Sequence, residues 1–310
     1  MPIQVDVLNG FRAGERRALS RAISLAEGDD PAFPALFDAL SGAITDAPRI
    51  GLTGPPGVGK STLAAELVVG WRAKGHTVGV LAVDPTSPFT GGALLGDRVR
   101  MGAHTLDEGV FIRSMATRGS LGGLARKTVE ACDLCAAFGF DRLLIETVGV
   151  GQAEHDVMDA SDVVVVVLQP GGGDVVQALK AGLVELADVF AINKADQPGV
   201  ERLVNDLEEA VALRARSEPV PLVPTVATQG KGIDQLVQAV TDCHAALTQA
   251  GRLAERRQMR RGAQLRRIVN ERLWGARGLQ ARASDLAATA SGDRPYETAE
   301  RLVSELLGEA

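Results

Sequence analysis

The stretch from Gly54 to Thr62 constrains the fold of this chain most strongly, because GPPGVGKST fits the pattern G-x-x-x-x-G-K-[S/T]. A short apolar run, 50–52, precedes it, and residues 63–67 continue with helical periodicity. In such a strand–loop–helix setting, glycines let backbone N–H groups turn toward phosphate oxygens, and the helix directs its positive end at them. We predict a phosphate-binding loop for a nucleoside triphosphate, formed by Gly54, Gly57, Val58, Gly59, Lys60, Ser61 and Thr62. Within it, Lys60 is placed to reach the β- and γ-phosphates, and the Ser61 hydroxyl to ligate Mg²⁺.

Composition limits the class of protein and its partners. The chain of 310 residues can form one large domain or two ordinary ones. Its hydrophobic content of 45% and charged content of 23% are typical of a soluble globular protein. The net charge of -6 argues against general affinity for nucleic acid or an anionic membrane. We expect no membrane span, no signal peptide and, with 3 cysteines, no disulfide framework, which together favour the cytoplasm.

The hydrophobic pattern changes twice along the chain. Residues 1–45 show helical spacing, and 249–310 contain a basic helix over 250–275 and a second helix from Pro295 to Leu307. Between them, over 46–248, short β-branched runs alternate with helical stretches, as in a parallel sheet covered by helices on both faces. The predicted strands are Arg49–Thr53, Thr77–Val83, Val110–Ser114, Arg142–Glu146, Asp162–Leu168, Val189–Asn193 and Val220–Pro224. We therefore predict an α/β nucleotide-binding domain with N- and C-terminal helical extensions, the C-terminal one serving as an arm.

A second motif, Asn193–Lys194–Ala195–Asp196, follows a predicted strand about 130 residues beyond the phosphate loop. In a parallel sheet this position lies at the ligand-facing carboxyl end. The Asp196 carboxylate can accept hydrogen bonds from guanine N1–H and N2–H₂, a pair of donors that adenine lacks, and the Lys194 stem can cover the base. We predict a guanine site and hence a P-loop NTPase G domain. The loop Thr225–Thr228 is expected at the purine edge, with a backbone N–H near Ala227 facing guanine O6.

Acidic residues at the ends of predicted strands are candidates for the metal site. Glu146 ends a buried strand in ETVG, where many GTPases have aspartate, and Gly149 lets its N–H approach the γ-phosphate. Asp84 ends the second predicted strand, after Val83, and Asp97 lies in Gly96–Asp97–Arg98. Both are predicted to belong to the Mg²⁺ sphere, although a capping role for Asp84 and a solvated loop charge at Asp97 remain alternatives.

Together these stretches resemble the MeaB/ArgK family of GTPases, chaperones of adenosylcobalamin-dependent acyl-CoA mutases. The resemblance covers nearly the whole chain and is most specific over Glu146–Gln152. It is carried by Gly54–Thr62, Asp84–Ser87, Thr90–Gly92, Gly96–Arg98, Glu146–Gln152, Asn193–Asp196, Arg16–Ser24 and Arg294–Tyr296. The chain departs from the family pattern at Val226, where serine is more frequent, and at Pro88–Phe89, which replaces a more polar pair.

The resemblance implies a homodimer formed through the C-terminal arm, and switch segments that signal to an acyl-CoA mutase and to its cobalamin-loading enzyme, an adenosyltransferase. It also implies an additional mobile segment from Gly171 to Lys180, with Lys180 reaching toward the nucleotide. The predicted catalytic residues are therefore Lys60, Glu146, Asp97 and Lys180.

Turnover is expected to depend on a partner. GTP hydrolysis needs charge stabilisation and a positioned water. The residue after Gly149 is Val150 and not a water-orienting glutamine; Gln152 lies two positions further on. We therefore expect slow intrinsic hydrolysis that a partner stimulates.

Two other functions stay open from the sequence. A nickel-delivery GTPase shares this type of G domain but uses cysteine–histidine ligands or a histidine-rich tail, for which we find no pattern. A small-molecule kinase shares the phosphate loop but has no reason to carry Asn193–Asp196. The pair Cys132 and Cys135 is expected to be core, since one C-x-x-C without a second pair is a poor zinc site.

Overall fold

The structure is a computed structural model that describes residues 4–84, 107–116, 123–147, 159–171, 182–213 and 220–276. Its strands are β1 (Arg49–Thr53), β2 (Val78–Asp84), β3 (Val110–Ala116), β4 (Arg142–Thr147), β5 (Val163–Leu168), β6 (Val189–Ile192) and β7 (Leu222–Pro224). The helices, numbered along these described residues, are α1 (Val5–Arg12), α2 (Arg16–Glu27), α3 (Phe33–Leu40), α4 (Lys60–Ala73), α5 (Gly123–Phe138), α6 (Leu183–Leu186), α7 (Val200–Ala212), α8 (Ile233–Gln249) and α9 (Arg252–Ala276).

The strands form one parallel sheet in the order β3-β2-β4-β1-β5-β6-β7. Each pairing between neighbours in the described residues is parallel. β1 and β5 are buried along their whole length, as the continuous apolar runs in the sequence require of a sheet covered on both faces. The predicted α/β class is therefore confirmed, and each predicted strand is present with its ends shifted by at most two residues.

Helices bury the two faces of the sheet in separate apolar clusters. On one face, Leu81 and Ile145 pack with α5 and with the N-terminal helices, whose Leu19 and Ile23 are fully buried. On the other face, Leu52 packs with α4 and α8. Successive residues of a strand point to opposite faces of the sheet, so one buried strand contributes side chains to the clusters on both faces. The N-terminal helices thus share a core with the sheet.

The order of strands places a switch point at β1. The chain leaves β1 toward β2 on one side, whereas β5 and β6 lie on its other side. In open parallel sheets a ligand binds in the crevice beyond the carboxyl ends of the strands at such a point. The phosphate-loop motif follows β1 directly and therefore lies at this crevice.

The chain divides into two compact units, Met1–Arg260 and Arg261–Ala310. The first contains the sheet and the helices on both of its faces. In the described residues, no helix combines the length and the apolar character that crossing a membrane requires.

Candidate nucleotide site

The phosphate loop occupies the turn between β1 and α4, and its glycines are required by the backbone. Gly54 has a φ of +143°, and a Cβ at this position would lie 2.2 Å from the carbonyl oxygen of Val167 on β5. Gly59 has a φ of +93°, and its Cβ would lie 2.5 Å from the Nδ2 of Asn193. L-residues with side chains rarely adopt such φ values, so glycine allows the loop to pass close to its neighbours. Close approach of the backbone is also what a phosphate needs.

Lys60 begins α4 and is 6% exposed. Its ammonium donates to the carbonyl oxygens of Gly54 at 2.7 Å and Pro55 at 2.9 Å. The amine is therefore held inside the curve of the loop, at the N-terminal end of a 14-residue helix. A buried cation beside a helix N-terminus gives the phosphate loop the positive charge that phosphate groups require.

Ser61 and Glu146 meet beside the loop. The Ser61 hydroxyl donates to the Glu146 carboxylate at 2.5 Å, and Glu146 is 5% exposed. The sheet sets this contact, since Glu146 on β4 is in register with Leu52 on β1, two residues before Gly54. A hydroxyl and a buried carboxylate are the oxygen ligands that Mg²⁺ prefers. Thr62 lies in the first turn of α4.

The guanine motif follows β6 and is tied to the phosphate loop. The Asn193 side chain is buried; its amide donates to the Val58 carbonyl at 2.8 Å, and its oxygen accepts from the Ala227 N–H at 3.1 Å. Lys194 has a φ of +56°, and its ammonium donates to the Gly57 carbonyl at 2.9 Å. Three loops that are far apart in sequence therefore form one unit.

This bracing by Asn193 was not predicted from the sequence, which assigned the residue to the guanine motif without its contacts. The motif itself was the available signal, because an amide both donates and accepts and so can join two loops. The Ala227 N–H, expected near guanine O6, donates to Asn193 in this structure. Its contact with a base remains a prediction. Asp196 is exposed beyond the end of β6.

Some of the predicted site residues lie outside the described residues: Asp97, Gly149 and Lys180. Asp84 ends β2, the strand next to β4, and the preceding Val83 is in register with Thr147. The backbone thus brings Asp84 to the same edge of the sheet as Glu146. The structure does not describe the side chain of Asp84. Mg²⁺ ligation by Ser61, Glu146, Asp84 and Asp97 stays a prediction.

Cys132 and Cys135 are fully buried on α5, so the expectation that they are core residues is confirmed. Burial raises the pKa of the Cys132 thiol to about 12. The thiolate is the form that binds metals, and burial suppresses it.

A comparison with protein families identifies the chain. The family described as methylmalonyl Co-A mutase-associated GTPase MeaB matches residues 19–281, which is most of the sequence. The chain belongs to the MeaB family of GTPases. The family expected from the motifs is thereby confirmed.

Named relatives of this MeaB-family protein span most of its length. A protein from Pyrococcus abyssi, named as a GTPase, is 42% identical over 313 residues, covering 98% of this chain and 97% of its own. The GTPase ArgK of Escherichia coli is 38% identical and covers 86% of this chain and 83% of its own. A mouse protein named methylmalonic aciduria type A homolog, mitochondrial, is 34% identical, covering 84% of this chain and 68% of its own.

The crystal structure of a LAO/AO transport system kinase has the same overall fold. Its TM-score is 0.69 at 27% sequence identity, and the match covers 98% of this chain and 97% of the other. The MeaB-family chain is thus a P-loop GTPase that binds guanine nucleotide and hydrolyses GTP.

Proposed function

We propose that this GTPase is a chaperone of an adenosylcobalamin-dependent acyl-CoA mutase, either methylmalonyl-CoA mutase or a close relative. In this role, binding and hydrolysis of GTP gate the delivery of adenosylcobalamin and protect the loaded mutase. The observation that carries the proposal is the match over 19–281 to a family named for its association with methylmalonyl-CoA mutase. The name of the mouse relative refers to methylmalonic aciduria, which supports methylmalonyl-CoA mutase or a close relative as the client.

Mg²⁺ is proposed as the metal cofactor, with Ser61 and Glu146 as ligands or holders of its water. The fit rests on a buried carboxylate that touches a hydroxyl at the N-terminus of α4. Asp84 and Asp97 are the further candidates from the sequence. A bound Mg²⁺ would neutralise charge on the phosphate oxygens as hydrolysis proceeds. Lys60 would act on the same oxygens, since its amine already lies within the phosphate loop.

A partner is proposed to complete the catalytic charge. Val150 follows Gly149, so intrinsic hydrolysis is expected to be slow. The stretch from Gly171 to Lys180 begins with three glycines, which are costly to order in the free protein. A mutase that orders it could bring Lys180 toward the phosphates, and a well-placed cation raises the rate of phosphoryl transfer by orders of magnitude. Homodimerisation through the C-terminal arm and contact with a cobalamin adenosyltransferase belong to the same proposal.

The test combines capture with kinetics. The protein, loaded with a non-hydrolysable GTP analogue, is used to capture partners from native lysate, and each captured mutase is added to a GTPase assay. We expect a cobalamin-dependent acyl-CoA mutase to raise the hydrolysis rate at least about tenfold. Lys180→Ala should keep mutase binding and lose most of the stimulation. Lys74→Ala, at an exposed lysine just after α4, is the matched control and should keep both.

The alternatives give different results in the same assay. Capture of hydrogenase or urease maturation proteins, with no mutase that alters the rate, would support nickel delivery and contradict the mutase proposal. Transfer of the γ-phosphate to a small molecule, in place of release as inorganic phosphate, would support a kinase.

A further inference from the structure

Three arginines at the start of α9 bind acidic residues at the edge of the sheet opposite the nucleotide site. We call Arg256, Arg257 and Arg260, with their partners Asp162 and Asp188, the arginine clamp. The sequence predicted a basic helix over 250–275, and in the structure these three of its arginines contact other parts of the protein. All clamp residues belong to the first compact unit, Met1–Arg260.

Arg256 and Arg257 make paired contacts. Arg256 donates to the two carboxylate oxygens of Asp188 at 2.7 and 2.8 Å, and to the Asp162 carbonyl at 2.8 Å. Arg257 donates to the two carboxylate oxygens of Asp162 at 2.7 and 3.2 Å, and to Asp46 at 2.6 Å. Paired guanidinium–carboxylate contacts fix orientation as well as distance. The start of α9 is thereby held in one geometry.

Arg260 completes the clamp. It donates to the Asp162 carboxylate at 3.0 Å and to the Ala160 carbonyl at 3.1 Å. The Asp162 side chain is fully buried, and that of Arg260 is 8% exposed. Burial and the nearby Arg49 lower the pKa of Arg260, whereas Asp162 raises it. Removing one partner of a buried ion pair is strongly destabilising, because the other charge is left buried without compensation.

The two acids also join the strands to one another. Asp162 immediately precedes β5, and its carboxylate accepts from the Arg49 N–H at the start of β1 at 3.2 Å. Asp188 immediately precedes β6, and its carboxylate accepts from the Val164 N–H of β5 at 2.9 Å. The clamp therefore holds the amino ends of β1, β5 and β6, which are neighbours in the sheet.

The opposite ends of these strands carry the nucleotide loops. β1 leads into the phosphate loop at Gly54, and β6 leads into the guanine motif at Asn193. These strands have 5 and 4 residues and, at about 3.3 Å per residue, are short. Their backbone hydrogen bonds to neighbouring strands leave them little freedom to slide along the sheet. A shift of their amino ends would change the spacing of the two loops, which the Asn193–Val58 and Lys194–Gly57 hydrogen bonds define.

We infer that Arg256, Arg257 and Arg260 are positioning residues for the nucleotide site, through which the position of α9 sets the affinity for guanine nucleotide. They touch no nucleotide themselves and act through the strands. Coupling of this kind is reciprocal, so nucleotide binding must in turn change the stability of the start of α9. The inference does not depend on which partner the GTPase serves.

The first test is the rate of GDP release from Arg256→Gln, followed with a fluorescent GDP analogue. We expect release at least about fivefold faster than in the wild type, the lower end of typical coupling between sites. Steady-state hydrolysis should show a higher KM for GTP with a smaller change in kcat, because the clamp acts on binding. Arg256→Lys, which keeps the charge without the paired contact, should give an intermediate rate.

Two controls separate positioning from general destabilisation. Arg261→Gln removes the next arginine of α9, which is exposed, and should leave GDP release unchanged. Leu25→Ala opens a cavity in the apolar cluster beneath α2 but removes none of the hydrogen bonds of the clamp, and it should lower thermal stability without faster release. Equal acceleration in Leu25→Ala and Arg256→Gln would overturn the inference.

A second test needs no variant. Hydrogen exchange of the wild-type protein is compared with and without GDP over peptides covering 252–260. We expect GDP to slow exchange there as well as in the phosphate loop, as reciprocity requires. Unchanged exchange in 252–260, with clear protection of the phosphate loop, would overturn the coupling.

Discussion

At the scale of residues, the side chains of the nucleotide site have two kinds of role. Some hold the loops together through contacts within the protein, and others are exposed and available to a ligand. The Asn193 side chain is used within the protein, whereas Asp196 is exposed at the end of the same motif. The two residues therefore have different roles although they are three positions apart. Replacing Asn193 should disturb the loops, and replacing Asp196 should change the choice of base.

Asp196→Asn tests base specificity. The wild-type protein should bind GTP and GDP far more tightly than ATP, because the Asp196 carboxylate accepts from guanine N1–H and the exocyclic amine. In the variant, affinity for GDP should fall by on the order of 2–4 kcal/mol, since a buried polar edge is left unpaired. Affinity for xanthosine diphosphate should rise, because its C2 oxygen can accept a hydrogen bond. Calorimetric titration with GDP, xanthosine diphosphate, GTP and ATP measures this, and similar affinities of the wild type for ATP and GTP would contradict the assignment.

Glu146→Gln tests the metal assignment. The substitution keeps the shape of the side chain and its contact with Ser61 but removes the negative charge. Turnover should fall much more than affinity for GDP, because the charge matters most when Mg²⁺ and the phosphates reach the transition state. Single-turnover hydrolysis and GDP titration at several Mg²⁺ concentrations separate the two effects. Full turnover in the variant would make Asp84 the leading candidate.

At the scale of elements, local pattern predicted the strands well. β5 is a run of five valines and a leucine, and a short continuous run of β-branched residues favours a strand buried on both faces. Because the strands were predicted to be parallel, the guanine motif was correctly expected at the carboxyl end of its strand. The arginine clamp could not be predicted, because periodicity shows which residues share a helix face and not what that face contacts. Arg257 and Asp162 are 95 positions apart, so no local pattern links them.

The clamp also predicts how stability depends on pH. Burial raises the pKa of Asp162, but hydrogen bonds and charges from Arg257 and Arg260 outweigh it, so the pKa lies below its ordinary value. A lowered pKa means that the ionised form adds stability above the unfolded value of about 3.9, and that this contribution is lost as the pH falls below it. Asp162→Asn should therefore cost on the order of 3 kcal/mol at pH 7.

Urea unfolding at pH 7, 5 and 3.5 measures the difference in the free energy of unfolding between wild type and Asp162→Asn. The difference should narrow at the lowest pH, because there the Asp162 carboxyl of the unfolded wild-type chain takes up a proton, while in the folded protein its lowered pKa keeps it ionised. Asp206→Asn, on the half-exposed side of α7, is the control and should change stability little at any of these values. A difference that stays constant with pH would show that the charge of Asp162 is not what stabilises the clamp.

At the scale of the whole molecule, the N-terminal helices belong to the same core as the sheet. The sequence predicted them as an extension over 1–45, and helical spacing alone did not show where their apolar faces pack. Leu19, Ile23 and Leu36 are fully buried in the cluster that contains Ile145 of β4. Polar contacts add to this packing, since Arg16 donates to the Val110 carbonyl of the edge strand β3 at 2.9 Å.

Deletion of residues 1–45 should therefore unfold the protein and abolish GDP binding. Burying a Leu or Ile side chain contributes roughly 1.5–3 kcal/mol, so these three side chains alone contribute an amount comparable to the 5–15 kcal/mol of a typical domain. The lost helices would also expose apolar surface of β2, β4 and α5 to water. Circular dichroism and GDP titration of the truncated protein test this, with a deletion of residues 1–4, which ends before α1, as the control. A truncated protein that folds cooperatively and binds GDP would instead support an independent domain beginning at residue 46.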